Sequence, residues 1–208
     1  VNSFALLAVP LFMLAGELMT RLGLVDDIIL LAKLLVGRMR GSLAQINIVA
    51  SVFFATMSGS AVADTAAIGG MLLPAMEKEG YDKEFSVAVT AASSIIGPII
   101  PPSITMIVYG SLMSNVPTGA MFAAGIVPGV LIGLGEMALV YYFSRKRNYP
   151  RETKRYTAKE ASAIAVRTLP AVLTPVVIVV AIFSGFCSAT EAALQPLLLH
   201  TKIPRSRA

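Results

Sequence analysis

"SGSAVADTAA", residues Ser58–Ala67, interrupts a chain otherwise suited to an apolar solvent. Small and hydroxyl side chains and one carboxylate, Asp64, stand between two apolar runs, Leu43–Met57 and Ala61–Met76. Wound as helix at ~1.5 Å per residue, the first run covers about 22 Å, short of the ~30 Å hydrocarbon core of a bilayer. Basic loops alone would accept two full crossings here. The short arms and the Ser-Gly-Ser tip instead predict a hairpin that enters a membrane and turns back, Ser42 to Met76.

The rest of the composition agrees with a membrane setting. Of 208 residues, 56% are hydrophobic and only 14% charged, with a mean hydropathy of +0.76. Soluble domains carry about a quarter charged residues. A single cysteine, Cys187, excludes a disulfide framework and a thiolate metal site. The one histidine, His200, leaves almost no material for histidine catalysis. The net charge of +5 resides in loops and reports topology, so no nucleic-acid partner is expected. The chain opens on Val1 without a basic n-region, so no signal peptide is expected and the sequence reads as a piece of a longer protein.

Outward from the hairpin, Phe4–Met19 is an apolar run containing Glu17, with Arg21 at helical spacing. Leu24–Val36 carries Asp26, Asp27 and Lys33 among apolar residues and predicts an amphipathic helix lying along the membrane interface. These elements form a scaffold and arm unit, residues 1–41. "EKEGYDKE", Glu77–Glu84, reads as a solvated loop. Residues 85–113 form an apolar run broken by "GPIIPP", Gly97–Pro102, whose prolines withdraw backbone donors. Two half-helices around an unwound segment are expected, and with the hairpin they make up residues 42–113. A full span follows at 119–143, with Glu136 near its polar end. The basic stretch 144–166 should be cytoplasmic. Residues 167–193 begin another apolar unit, and 194–208 diverge into a basic tail.

Polar backbone within hydrocarbon persists only where protein or a water-filled cavity covers it. "SGSAVAD" and "GPIIPPS" are two such places. Half-helix ends free carbonyls that suit a small cation and amides that suit a carboxylate, and Ser58, Ser60 and Ser103 add hydroxyls. Gly-Ser pairs and proline kinks also serve close helix packing. Asp64 is either a coordinating or gating carboxylate or an N-cap of the second arm, and the two roles are compatible.

The segments "SGSAVADTAAIGGMLLPAM", "GYDKEFSVAVTAASSIIGPIIPPS" and "GIVPGV" closely resemble the large membrane subunit of tripartite ATP-independent periplasmic (TRAP) transporters. "FALLAVPLFMLAGELM", "GRMRGSLAQINIVAS" and "LPAVLTPVVIVVAIFSGFCSATEAA" fit the same family. The resemblance implies an all-α polytopic membrane protein with a re-entrant hairpin and a broken helix, the first half of an inverted-repeat, elevator-type secondary transporter. It implies sodium-coupled import of an organic acid delivered by a periplasmic solute-binding protein, beside a small membrane subunit, in a bacterial or archaeal inner membrane. It places Ser58, Gly59, Ser60, Gly97, Ile100 and Pro102 around a sodium ion, and Ser60, Asp64 and Ser103 beside the substrate carboxylate. No other cofactor is implied. The family continues into a second half, so this polypeptide is expected not to transport alone. Alternatives are a related carrier without a binding protein and a nonfunctional membrane remnant. An intramembrane enzyme is disfavoured because no nucleophile stands with a general base.

Overall fold

The computed structural model describes residues 23–112, 117–151 and 157–183, with Pro10, Met13, Leu14 and Glu17 from the first apolar run. The expected helix over 4–19 and the tail over 194–208 therefore lie almost wholly outside the described residues. Within them the chain is helical and contains no strand. The first helix, α1, spans Leu24–Val36, and α2 spans Ser42–Ser58. The second hairpin arm comprises α3 (Ala61–Asp64), a π-helical turn (Thr65–Gly69) and α4 (Gly70–Lys78). The broken helix is α5 (Lys83–Ser94) and α6 (Ile104–Leu112), followed by α7 (Thr118–Lys146) and α8 (Ala158–Phe183).

Local chemistry sets these boundaries. Helix α1 has Asp26 and Asp27 in its first turn and Lys33 in its last, each sign matched to the helix dipole. Gly41 and Gly59 flank α2 in the left-handed region, at φ 70° and 59°, where a side chain would be strained. The Gly59 amide closes the last turn by donating to Ala55 O at 2.9 Å. In the second arm, Pro74 cannot donate to the Gly70 carbonyl, and the chain just before it is wound as a π-helix.

Helix α2 is the axis. It packs against α1, α5, α7 and the second hairpin arm, and burial runs around its circumference, from Ile46, Ile48 and Phe54 to Gln45, Asn47 and Ser51. Gln45 donates to the Met137 carbonyl on α7 at 2.9 Å. Only Thr118–Lys146, 29 residues, is both long and apolar enough among the described helices to cross a membrane by itself. Ser42–Ser58 has 17 residues, fewer than the ~20 that a span needs.

Three features differ from the sequence expectation. Helix α1 has the expected limits, but its Asp27 points inward: it is 3% exposed and accepts an ion pair from Arg167 Nε on α8 at 2.9 Å. The basic loop is shorter than 144–166, because α7 runs to Lys146 and α8 starts at Ala158. The segment expected as a solvated loop contains a buried residue, Tyr81, at 4% exposure.

Tyr81 is buried because the chain after α7 folds over it. Its ring stacks on Tyr149 at 4.4 Å between centroids, and Phe85 lies 5.1 Å from Tyr149. The Tyr149 hydroxyl donates to Asp82 Oδ2 at 2.7 Å, and Arg147 pairs with the same oxygen. One residue on, the Pro150 carbonyl accepts from the Gly41 and Ser42 amides at 3.2 and 3.4 Å. It thereby satisfies orphan donors at the start of α2 that no side chain caps. Arg147–Pro150 thus clasps the α1–α2 turn, the hairpin base and the end of α7 together.

The two helix breaks meet at the other end of α2. Ile104 N donates to Gly59 O at 3.4 Å. A Cβ on Gly59 would lie 2.6 Å from Pro102 O, and one on Gly97 would lie 3.2 Å from Ser60 C.

Three predictions follow from these junctions. Tyr149→Ala should destabilise the chain in detergent by about 3 kcal/mol, as for a lost core aromatic, and Tyr149→Phe should keep most of that stability in chemical unfolding. The Tyr149 hydroxyl and Arg147 hold the Asp82 carboxyl below its ordinary 3.8. Its contribution is therefore complete above that value and lost as pH falls through the folded-state value. Asp82→Asn should unfold more easily than the parent at neutral pH, and the difference should shrink as pH falls below 3.8. At the tip, Gly59→Ala combines a left-handed backbone with a contact against Pro102 O, and should cost about 2 kcal/mol or more. The control Gly135→Ala, with nothing within 4 Å of the added Cβ, should be neutral or stabilising in the same melts.

Candidate functional site

The structure brings the expected ion residues together. Ser58, Gly59 and Ser60 form the hairpin tip, and Gly97, Ile100 and Pro102 belong to the unwound segment laid against it. The segment from Ile95 to Ser103 is held by turns: the amides of Ile95, Ile96 and Gly97 donate back to Ala92, Ser93 and Ser94, and those of Ile99 and Ile100 to Ile96. The Pro101–Pro102 bond is cis. Among the described residues, the carbonyls of Gly97, Ile100 and Pro102 accept no hydrogen bond. These are acceptors without donors, set beside the tip of a hairpin.

The hydroxyls have distinct duties. Ser60 caps α3, accepting from Ala63 N at 3.4 Å, and its own amide donates to Ser58 Oγ at 3.4 Å. Ser103 donates to Pro98 O at 2.6 Å and accepts from Met106 N at 3.3 Å, tying the unwound segment to the start of α6. Ser103 is fully buried and Ser60 is partly exposed. Of the three residues expected beside a substrate, Ser60 alone reaches the surface of the described chain.

Asp64 lies one turn beyond Ser60. It is 0% exposed, and the side-chain hydroxyls of Ser51 on α2 and Ser94 on α5 face its carboxylate. The N-cap role belongs to Ser60 rather than Asp64. Glu136 is half-buried on α7, in a groove of about 430 Å³ shared with Phe85, Val89, Val140 and Phe143.

A polar seam between α2 and α5 is absent from the sequence expectation. Asn47 Nδ2 donates to Thr90 Oγ1 at 2.8 Å, Ser51 to Ser93 Oγ at 3.2 Å, and Ser93 to Asn47 Oδ1 at 3.1 Å. All of these side chains are buried. The signal is present in hindsight: Asn47 and Ser51 are spaced i, i+4, and Thr90, Ser93 and Ser94 i, i+3, i+4, each on one face of an apolar helix. Interhelical hydrogen bonds of this kind in membrane bundles contribute about 0.6 kcal/mol each.

Comparison with known proteins places this architecture. A family profile described as "Tripartite ATP-independent periplasmic transporter, DctM component" matches residues 1–199. The sialic acid TRAP transporter permease protein SiaT of Haemophilus influenzae is 44% identical over 93% of this chain and 31% of its own length. The sialic acid TRAP transporter large permease protein SiaM of Vibrio cholerae is 42% identical over 93% of this chain and 45% of its own. The C4-dicarboxylate TRAP transporter large permease protein DctM of Vibrio cholerae is 40% identical over 92% of this chain and 43% of its own. The chain thus spans less than half the length of these curated relatives, which are permeases by name. Over nearly all of its own length, it belongs to the DctM component family of tripartite ATP-independent periplasmic transporters, a family of membrane proteins.

Proposed function

We propose that this chain supplies half of the ion- and substrate-holding unit of a sodium-coupled permease. The permease imports an organic acid received from a periplasmic solute-binding protein, and it works beside a small membrane subunit. The observation that carries this reading is the contact between the two helix breaks, with carbonyls of Gly97, Ile100 and Pro102 left without donors next to Gly59. A hard monovalent cation binds neutral oxygens. The donors here are those carbonyls with Ser58 Oγ and the backbone of Gly59 and Ser60.

Ser60, Asp64 and Ser103 border the same junction and mark where the acid would lie. Ser60 offers the accessible hydroxyl, and buried Ser103 holds the unwound segment in shape. Asp64 stands behind the tip. The apolar arms of the hairpin re-enter the membrane rather than cross it, and the chain is multi-pass in the inner membrane. The hairpin and broken helix move as one body between the two faces of the bilayer. The relatives transport sialic acid or C4-dicarboxylates by name, and an organic acid is the class these share.

Uptake of a labelled organic acid by cells carrying the assembled transporter tests the reading. Uptake should require both sodium and the binding protein. Ser58→Ala should raise the sodium concentration for half-maximal uptake about tenfold, equivalent to one lost ligand worth about 1.4 kcal/mol. Ser60→Ala should raise the KM for the acid, and both variants should stay at normal abundance in the membrane. Sodium-independent uptake, or parental kinetics in both variants, would remove the ion assignment at the tip.

A further inference from the structure

We propose that α7 sets the sodium affinity of the junction, with Gly125 and Gly129 as positioning residues that aim the Ile100 carbonyl. This role rests on the ion reading of the junction and falls to residues that bind no ion themselves.

Gly125, Gly129 and Gly133 are buried on one face of α7 at i, i+4 spacing. They do not meet the same kind of neighbour. A Cβ added at Gly125 would overlap the Ile99 carbonyl oxygen and lie 2.6 Å from Met106 Cε. One at Gly129 would overlap Ile100 Cγ1 and lie 3.2 Å from Cδ1 of the same residue. One at Gly133 would reach only ordinary contact, 3.4 Å from Val52 Cγ2 and 3.6 Å from Ile96 Cδ1. The first two glycines thus press α7 onto residues 99 and 100, while Gly97 and Pro102 of the same segment approach the hairpin tip.

Closeness at these two points fixes a direction. The peptide between Ile99 and Ile100 is planar. Its oxygen lies against Gly125, and its amide donates to Ile96 O at 2.9 Å. The Ile100 side chain, 7% exposed at the level of the residue, lies against Gly129. A β-branched side chain is stiff at χ1, so Cγ1 does not swing aside freely and the backbone must move with it. The angle left to turn the Ile100 carbonyl is ψ, and Pro101 restricts the ψ of the residue before it. That carbonyl is one of those left without a donor beside the tip.

The wall behind the segment is itself held. Gln45 of α2 donates to the Met137 carbonyl of α7 at 2.9 Å, and Arg147 at the end of α7 pairs with Asp82. A carbonyl aimed in advance loses little freedom when it takes up an ion, and affinity rises accordingly. A methyl group on Gly129 would move one ligand of the cluster without touching the ion.

Sodium titration of organic-acid uptake, in cells carrying the assembled transporter, tests this role. Gly129→Ala should raise the sodium concentration for half-maximal uptake about tenfold, with membrane abundance and uptake at saturating sodium nearly parental. Adding Ile100→Ala to that variant removes the overlapping carbons and should return the sodium dependence toward the parent. Gly125→Ala meets a backbone oxygen that no second substitution relieves, and should show at least as large a shift. Gly133→Ala should keep the parental sodium dependence. Parental behaviour of Gly129→Ala beside a shifted Ser58→Ala would overturn the positioning role and leave the ion reading intact. Sodium-independent uptake by the parent would remove both. Reduced membrane abundance of Gly129→Ala without any shift in sodium dependence would also overturn it, since the glycines would then serve folding alone.

Discussion

A peptide group removed from water must find a partner, and this chain breaks its helices in two places that are largely buried. The structure answers by laying one break on the other. Ile104 reaches the Gly59 carbonyl, Gly97 packs on Ser60, and Pro102 comes so close to Gly59 that no side chain fits between them. Each interruption covers the other, and the carbonyls left over all belong to one spot. Close approach is what gathers the free acceptors.

Holding that spot requires rigidity over the length of α2. At one end, the Pro150 carbonyl caps the helix, while Tyr149 and Arg147 pin the hairpin base through Asp82. Along the middle, the seam of Asn47, Ser51, Thr90 and Ser93 fixes the register of α2 against α5. Directional hydrogen bonds specify register in an apolar bundle, where dispersion contacts between aliphatic side chains are nearly interchangeable. The hairpin and the broken helix are thus joined at the base, the middle and the tip.

The acidic side chains show how location decides the meaning of a charge. Asp82 is exposed and balanced by Arg147 and the Tyr149 hydroxyl. Asp27 is buried and balanced by Arg167, which joins α1 to α8. Asp64 is fully buried and faced by the hydroxyls of Ser51 and Ser94. Three aspartates of identical intrinsic chemistry thus occupy a surface clasp, a helix-packing ion pair and a buried polar cluster between α2, α3 and α5.

By itself the sequence determined the apolar class, the limits of α1, both helix breaks and the long span, because those depend on neighbours a few residues away. Glycine at positive φ and proline without an amide act wherever they stand, so Gly59 and Gly97–Pro102 were legible as interruptions. The family, too, was legible in those motifs. Only the tertiary structure decided which face of α1 is buried, that Tyr81 in a charged loop stacks beneath Tyr149, and that Ser51 and Ser94 meet at Asp64. Each of those pairs residues far apart in the chain, and the choice depends on helix rotation and register. Single hydroxyls and charges scattered along apolar helices carry no local signal of the partner they will face.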